Sequence, residues 1–414
     1  MSLKNFIIKL TCILIILISS FYTIVIASEY TYIWSDSYGL SESLQTNANE
    51  SEPVQNSNSL NLESGSAILI EQNSGQILYE HNIHEQLRPA SVTKVMSILL
   101  IMEAIDSGKI TLEDKVPCSS NASSMGGSQI WLNETEELTV NEMLKAICVV
   151  SANDCTVAMA EFLAGSQEAF VEKMNQKAKE LGMNDTCFKN CHGIDEDGHV
   201  TSSYDIALMS RELLTKHPSI TNYSSLWMDS LRDGKSELVN TNKLIRNYQG
   251  ATGLKTGSTS LALYNLSASA TRNGLSLIAV IMKAPSTKVR FSEAQKLLDY
   301  GFNNYSYKEL AKKEDSIKKV TVTKGVESEI NAIFKDDFGT LLKKGEDKNI
   351  SQNISIDENL SAPILKGQKI GEVNFTLDGK FIGTVDVIAD KEIKKNGLMN
   401  MVSYLYKNWF CLLR

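Results

Sequence analysis

Three short segments of the 414-residue chain carry side chains suited to acyl transfer. Ser91 and Lys94 stand three residues apart at the head of an apolar run, 95–102. On a helix that spacing puts both side chains on one face, so the lysine nitrogen reaches the serine hydroxyl. A weak nucleophile thereby gains a neighbouring base. The pair alone is weak, because serine and lysine at this spacing recur by chance, so its weight depends on its company. Ser151-Ala152-Asn153 interrupts two apolar helical stretches, and Lys255-Thr256-Gly257-Ser258 leads into a strand-like run. Together they define a chemistry. Ser91 attacks a carbonyl and forms an acyl-enzyme, while Lys94 takes the hydroxyl proton once burial and a second cation, Lys255, have made it a neutral amine. Ser151 relays a proton between the lysines and the leaving amine, and the Asn153 amide pairs with the substrate backbone. Thr256 and the strand running on through Gly257 and Ser258 hold an extended peptide by edge pairing. Backbone N–H groups of Ser91 and Ser258 form the oxyanion hole.

These segments need a scaffold, and the pattern supplies one. Apolar runs at 66–70 and 76–79 flank Asn73-Ser74-Gly75 and read as a hairpin. Pro89 sits where a first helical turn tolerates it. Thr139 with Glu142 three residues later is a capping box, opening a helix through Val150. Helices are expected at 155–163, 167–181, 203–214 and 291–300. Strand-like runs at 261–270 and 277–282 are joined by Asn273-Gly274, a strong hairpin signal. The class is α+β, with helices packed on an antiparallel sheet. Beyond Tyr305 short alternating segments with glycine turns describe a small all-β domain without a cluster of catalytic residue types.

A net charge of −8 gives no basic face for phosphates, which argues against nucleic acid as a partner. Lys4 and Lys9 precede the apolar run 10–27, the layout of a signal peptide cut at Ala27-Ser28. An uncleaved anchor is the competing reading, and either one puts the rest of the chain outside the cytoplasm. Residues 28–61 are rich in Ser, Asn, Glu and Gln and form a flexible spacer. At the other end, 393–414 form an amphipathic helix with Lys394, Lys395, Lys407 and Arg414 near its polar side, suited to a membrane interface; docking on the β domain is the alternative. Seven cysteines lack the spacing of a disulfide framework. Cys187, Cys191, His192 and His199 match no zinc pattern, and Asp195-Glu196-Asp197-Gly198 lacks the glutamate that would close a calcium loop. No metal and no cofactor is expected.

In order and placement, the three segments resemble the active-site motifs of penicillin-recognising serine enzymes. From about Ser66 onward the chain resembles the secreted D-alanyl-D-alanine carboxypeptidases, the low-molecular-mass penicillin-binding proteins. Cys191-His192-Gly193-Ile194-Asp195, then Ser202-Ser203-Tyr204-Asp205, and Arg290-Phe291-Ser292-Glu293-Ala294 carry the likeness further. Ser258 departs from members that carry histidine there. The resemblance implies a transpeptidase/β-lactamase-like catalytic domain at 62–304, a small β domain at 305–392 and the tail at 393–414. It also implies removal of D-alanine from peptidoglycan stem peptides, inhibition by β-lactams, association with the outer face of the cytoplasmic membrane, and Arg290 as the clamp on the substrate carboxylate. A β-lactamase shares the motifs, but Ala152 stands where class A enzymes place aspartate, and no Glu-x-x-x-Asn segment supplies a deacylating base. A non-catalytic peptidoglycan-binding protein would have no need of intact Ser91, Lys94, Ser151, Asn153 and Lys255.

Overall fold

A computed structural model describes residues 60–345, 349–357 and 359–397. The signal peptide, nearly all of the spacer and the tail from residue 398 lie outside them. The strands of the first part are β1 (Ser66–Glu71), β2 (Ile77–His81), β3 (Lys115–Pro117), β4 (Glu137–Thr139), β5 (Met228–Leu231), β6 (Ser236–Val239), β7 (Ala251–Thr259), β8 (Leu263–Arg272) and β9 (Leu275–Ala284). Its longer helices are α1 (Lys94–Asp106), α2 (Val140–Val149), α3 (Asn153–Ala164), α4 (Gln167–Glu180), α5 (Ser203–Lys216) and α6 (Thr287–Asn304). A five-stranded antiparallel sheet runs β2-β1-β9-β8-β7, so β7, the strand of Lys255, is an edge. Two small two-stranded sheets, β3–β4 and the β5–β6 hairpin, stand apart from it.

Alternation along the strands explains why the sheet reads as continuous apolar runs. Ile68, Ile70, Ile278, Val280 and Met282 face the core built with α1 to α5, whereas Ala67, Leu69, Leu277, Ala279 and Ile281 face a second core closed by Phe291, Leu297 and Leu298 of α6. With both faces covered, neither set can be polar. Helix α1 lies deep in the first core, with Val95, Met96, Ile98, Leu99 and Ile101 no more than 1% exposed. Truncating Leu99 to alanine there costs about 2–5 kcal/mol.

Local signals end and start the elements where expected. The Thr139 hydroxyl accepts from Glu142 N (3.2 Å) and the Glu142 carboxylate accepts from Thr139 N (2.8 Å), the reciprocal cap of α2. Asn273 (φ +49°) and Gly274 (φ +79°) form the β8–β9 turn, in which both central residues need positive φ. Helix α6 begins earlier than expected because Ser286 caps it, accepting from Val289 N at 3.2 Å. One correction bears on the site. Ser91 does not ride on an α-helix but on a 3-10 turn, Ala90–Thr93, that leads into α1. In a 3-10 turn positions i and i+3 eclipse, which draws Ser91 and Lys94 together.

The second part holds β10 (Tyr305–Ala311), β11 (Ser316–Thr321), β12 (Glu329–Phe334), β13 (Phe338–Lys343), β14 (Ile350–Ile356), β15 (Lys369–Leu377) and β16 (Lys380–Ala389). A β10–β13 pair follows α6, and a sheet ordered β11-β12-β16-β15-β14 encloses Val320, Ile330, Val373, Phe375 and Val385. Beyond β16 the chain stays tied to this part: Ile393 N donates to Ile364 O (2.9 Å) and Asn396 N to Lys324 O (2.7 Å). Among the described residues no helix is long and apolar enough to cross a membrane, and Cys118, Cys148, Cys155, Cys187 and Cys191 are free thiols.

Candidate active site

The 3-10 turn that carries Ser91 is pinned on three sides. Asn265 on β8 is wholly buried, and its side-chain amide donates to Arg88 O (2.8 Å) and Pro89 O (3.0 Å). Gly257 packs so closely that a Cβ there would lie 2.8–2.9 Å from Val92 N, Pro89 O and Ser91 N. Gly193 (φ +92°) closes the third side, where a Cβ would lie 1.9 Å from Ala90 O. Ala90 itself has φ +48°, a strained value held by these contacts.

Lys94 has no solvent exposure, and its Nζ lies 3.1 Å from Ser91 Oγ, 2.6 Å from Asn153 Oδ1 and 2.7 Å from His192 O. The two carbonyl oxygens can only accept. A neutral amine has two N–H bonds for those two carbonyls, which leaves its lone pair for the Ser91 hydroxyl. Burial holds the Lys94 pKa well below the usual lysine range, and the charge of Lys255 adds to the effect. The sequence expectation named burial and Lys255 together; burial is the larger cause and Lys255 the second.

Lys255 is 1% exposed, and burial followed by the charge of Arg290 pulls its pKa down to about 7 against the opposing effect of Cys148. Its Nζ donates to Thr256 O at 2.8 Å, and the Thr256 hydroxyl pairs with that of Thr241 at 2.7 Å. Ser258, next along this edge strand, is exposed. Ser151 is 3% exposed with φ +64°, and its Oγ has no hydrogen-bond partner among the described residues. Asn153 uses both ends of its amide, accepting from Lys94 and donating to Gly126 O (2.7 Å). Arg290 is 6% exposed and lies against the sheet, donating from Nη1 to Gly257 O (3.3 Å) and Asn265 O (3.2 Å). Burial lowers its pKa to about 10, and its Nε is buried without a partner.

Several contributors have roles that no motif announced. His192 acts through its main-chain carbonyl. Asp154, fully buried after Asn153, accepts from Ile130 N (3.1 Å) and Leu132 N (3.0 Å) and so shapes the loop beside the site. His199 accepts from Lys189 N at Nδ1 (2.9 Å), which leaves Nε2–H to donate to Thr93 Oγ1 (2.8 Å) between nucleophile and base. Outside the Cys191-His192-Gly193 segment, the sequence signal was a polar residue inside an apolar stretch, as at Asn265 in β8. Ser202 and Asp205 serve the scaffold: Ser202 caps α5, and Asp205 Oδ2 accepts from Asp185 N (2.8 Å) and Thr186 Oγ1 (2.6 Å). The acidic turn is polar architecture too, with Arg88 on Asp197 Oδ1 and on Glu196 O, both at 3.1 Å.

Helices on an antiparallel sheet with a buried lysine beside a serine, followed by an all-β domain, define the penicillin-binding protein fold, and comparison with known proteins agrees. Residues 50–286 match the peptidase S11 family, D-alanyl-D-alanine carboxypeptidase, and residues 305–395 match the C-terminal domain of penicillin-binding protein 5. The D-alanyl-D-alanine carboxypeptidase DacF of Bacillus subtilis is 46% identical over 351 residues, 84% of this chain and 90% of its own length. DacC of Escherichia coli is 32% identical over 83% of this chain and 88% of its own. Penicillin-binding protein 5 from Haemophilus influenzae superposes with a TM-score of 0.63 at 31% identity, covering 81% of this chain and 98% of that one. The chain belongs to the D-alanyl-D-alanine carboxypeptidase family of serine hydrolases and is a carboxypeptidase of the bacterial cell wall.

Proposed function

We propose that the enzyme removes the terminal D-alanine from peptidoglycan stem pentapeptides through an acyl-enzyme on Ser91. Lys94 takes the Ser91 proton, Oγ attacks the carbonyl of the penultimate D-alanine, and the C–N bond breaks. The departing amine receives a proton through Ser151, and water then cleaves the ester to return free Ser91. Lys255 supplies positive charge beside the cleft, the N–H groups of Ser91 and Ser258 hold the oxyanion, and Asn153, Thr256 and Gly257 align the peptide along the edge of β7. Arg290 is the clamp for the substrate carboxylate. Its Nη1 bond to Gly257 O, on the strand that would hold the peptide, supports this role. β-Lactams acylate the same serine; the Listeria monocytogenes penicillin-binding protein D2, whose structure carries ampicillin, is 29% identical over 59% of this chain with a TM-score of 0.55.

One observation carries the reading: Nζ of the fully buried Lys94 meets two carbonyls and one serine hydroxyl. Ser91→Ala abolishes both D-alanine release and penicillin labelling while circular dichroism stays unchanged; labelling that persists at another residue overturns the assignment. The chain works outside the cytoplasm after export by its N-terminal signal, and its C-terminal amphipathic segment rests on the membrane surface.

A further inference from the structure

Beside the catalytic cleft lies a concavity that the reaction above leaves unused. Its volume is about 670 Å³, between the 129–133 loop with Val150 on one side and the β5–β6 hairpin on the other. Both walls run into the cleft. The loop is tied to Asn153, whose N donates to Ser128 O (2.7 Å) and whose side chain donates to Gly126 O (2.7 Å). The hairpin leads to Thr241, whose N donates to Val149 O (3.1 Å) and whose hydroxyl meets that of Thr256 (2.7 Å). A polymer with one residue at Ser91 therefore has a continuous wall to follow.

The loop is stiff. Asp154 holds its N–H groups from within, and Arg232 donates to Ile130 O (2.9 Å) and Trp131 O (3.3 Å) while paired with Glu136 (2.6 Å). Between these clamps Trp131 has φ +55° and is 73% exposed. A bulky residue at positive φ is strained, and an exposed indole leaves apolar surface in water. Among the described residues no packing offsets either cost, which points to a ligand. The charges around it cancel: Arg232 is met by Glu136, and Lys235 and Glu237 bring opposite signs along the hairpin. What remains is an aromatic face and the amides of Gln129 and Asn133 over an apolar floor of Ile130 and Leu238. That combination suits an uncharged ring with one apolar C–H face and a rim of hydroxyl and amide groups.

We propose that this concavity is a subsite for the N-acetylated amino-sugar strand that bears the stem peptide, with Trp131 as its stacking platform; the proposal rests on the stem-peptide reading above. The enzyme then recognises glycan-borne peptide in preference to free peptide. The test compares D-alanine release by the full chain from a free pentapeptide and from the same pentapeptide joined to its disaccharide. Unmodified enzyme shows kcat/KM about tenfold higher on the disaccharide form, chiefly through KM. Trp131→Ala brings the two substrates within about twofold of each other at an unaltered rate of penicillin acylation, and Trp131→Tyr keeps most of the preference. Equal use of both substrates by the unmodified enzyme overturns the subsite, and so does a Trp131→Ala loss of the same factor on both. Absence of D-alanine release from either substrate by the unmodified enzyme is a different result: it overturns the stem-peptide reading and the subsite with it.

Discussion

Replacing Asn153 with aspartate changes one atom's chemistry at the point where Lys94 is held. Asn153 Oδ1 lies 2.6 Å from Lys94 Nζ in a site where Lys94 is fully buried. A carboxylate there favours the ammonium over the amine. Two unit charges about 4 Å apart at an effective dielectric near 20 attract by about 4 kcal/mol, and this pair is closer. Part of the gain is offset by desolvating the new carboxylate. A net of about 4 kcal/mol would lower the ratio of free amine to ammonium by roughly a thousandfold. Asn153→Asp also turns an acceptor toward Gly126 O, where the amide now donates at 2.7 Å, at a further cost of about 1–3 kcal/mol in stability. The assay is the rate of penicillin acylation against pH, with thermal melting as the control for folding. Acylation at pH 7 falls, by at most about three orders of magnitude, and recovers as pH rises, because alkali restores the free amine. An unaltered rate and profile in a folded Asn153→Asp protein would refute the reasoning.

Three further outcomes follow from named contacts. Gly257→Ala places a methyl 2.8–2.9 Å from three backbone atoms around Ser91; stability falls by about 1–3 kcal/mol from overpacking, and acylation falls on the order of a hundredfold as the nucleophile shifts. Burial lowers the pKa of His199 to about 4 and that of His192 to about 3, whereas unfolded histidine titrates near 6.5. The unfolded chain therefore binds protons first as pH falls, so the contribution of these two histidines is fully present above about pH 6.5 and is lost from there toward 4, with His199 accounting for on the order of 3 kcal/mol. Urea melts of His199→Gln have a shallower decline over that interval. Deleting residues 398–414 moves the enzyme from the membrane fraction to the soluble one; retention at the membrane removes the proposed role of the tail.

What could be read from the sequence was what depends on near neighbours. The Thr139–Glu142 cap and the Asn273-Gly274 turn are fixed by residues within three positions, and both appear as expected. Ser91 with Lys94, Ser151 with Asn153, and Lys255 with Thr256 were legible because acyl transfer demands those types at short spacing, and the fold brings Lys94 to Asn153 directly. Long-range partners were hidden. His192 contributes a carbonyl, which every residue has, and only the path of the 187–201 loop brings it to Lys94. Nothing in the spacing distinguishes Asn265 as the pin under Pro89, or sets Trp131 in a positive-φ clamp. Arg290 was legible as a residue, but its place against Gly257 O and Asn265 O depends on the β7–β8 register. For Lys94 both burial and a nearby cation were expected from the motif, but that burial is complete and is the larger cause is a property of the assembled core.

The central claim is that Lys94 acts as a free amine. Carbon-13 labelling of lysine side chains, with Lys94→Arg to assign the resonance, allows the Lys94 ε-carbon to be followed through a pH titration of the folded enzyme. The account predicts that Lys94 titrates well below the ordinary lysine value of 10.5, with the acylation rate rising over the same interval. A Lys94 that stays charged up to pH 10.5 while acylation proceeds at full rate near neutrality would contradict it.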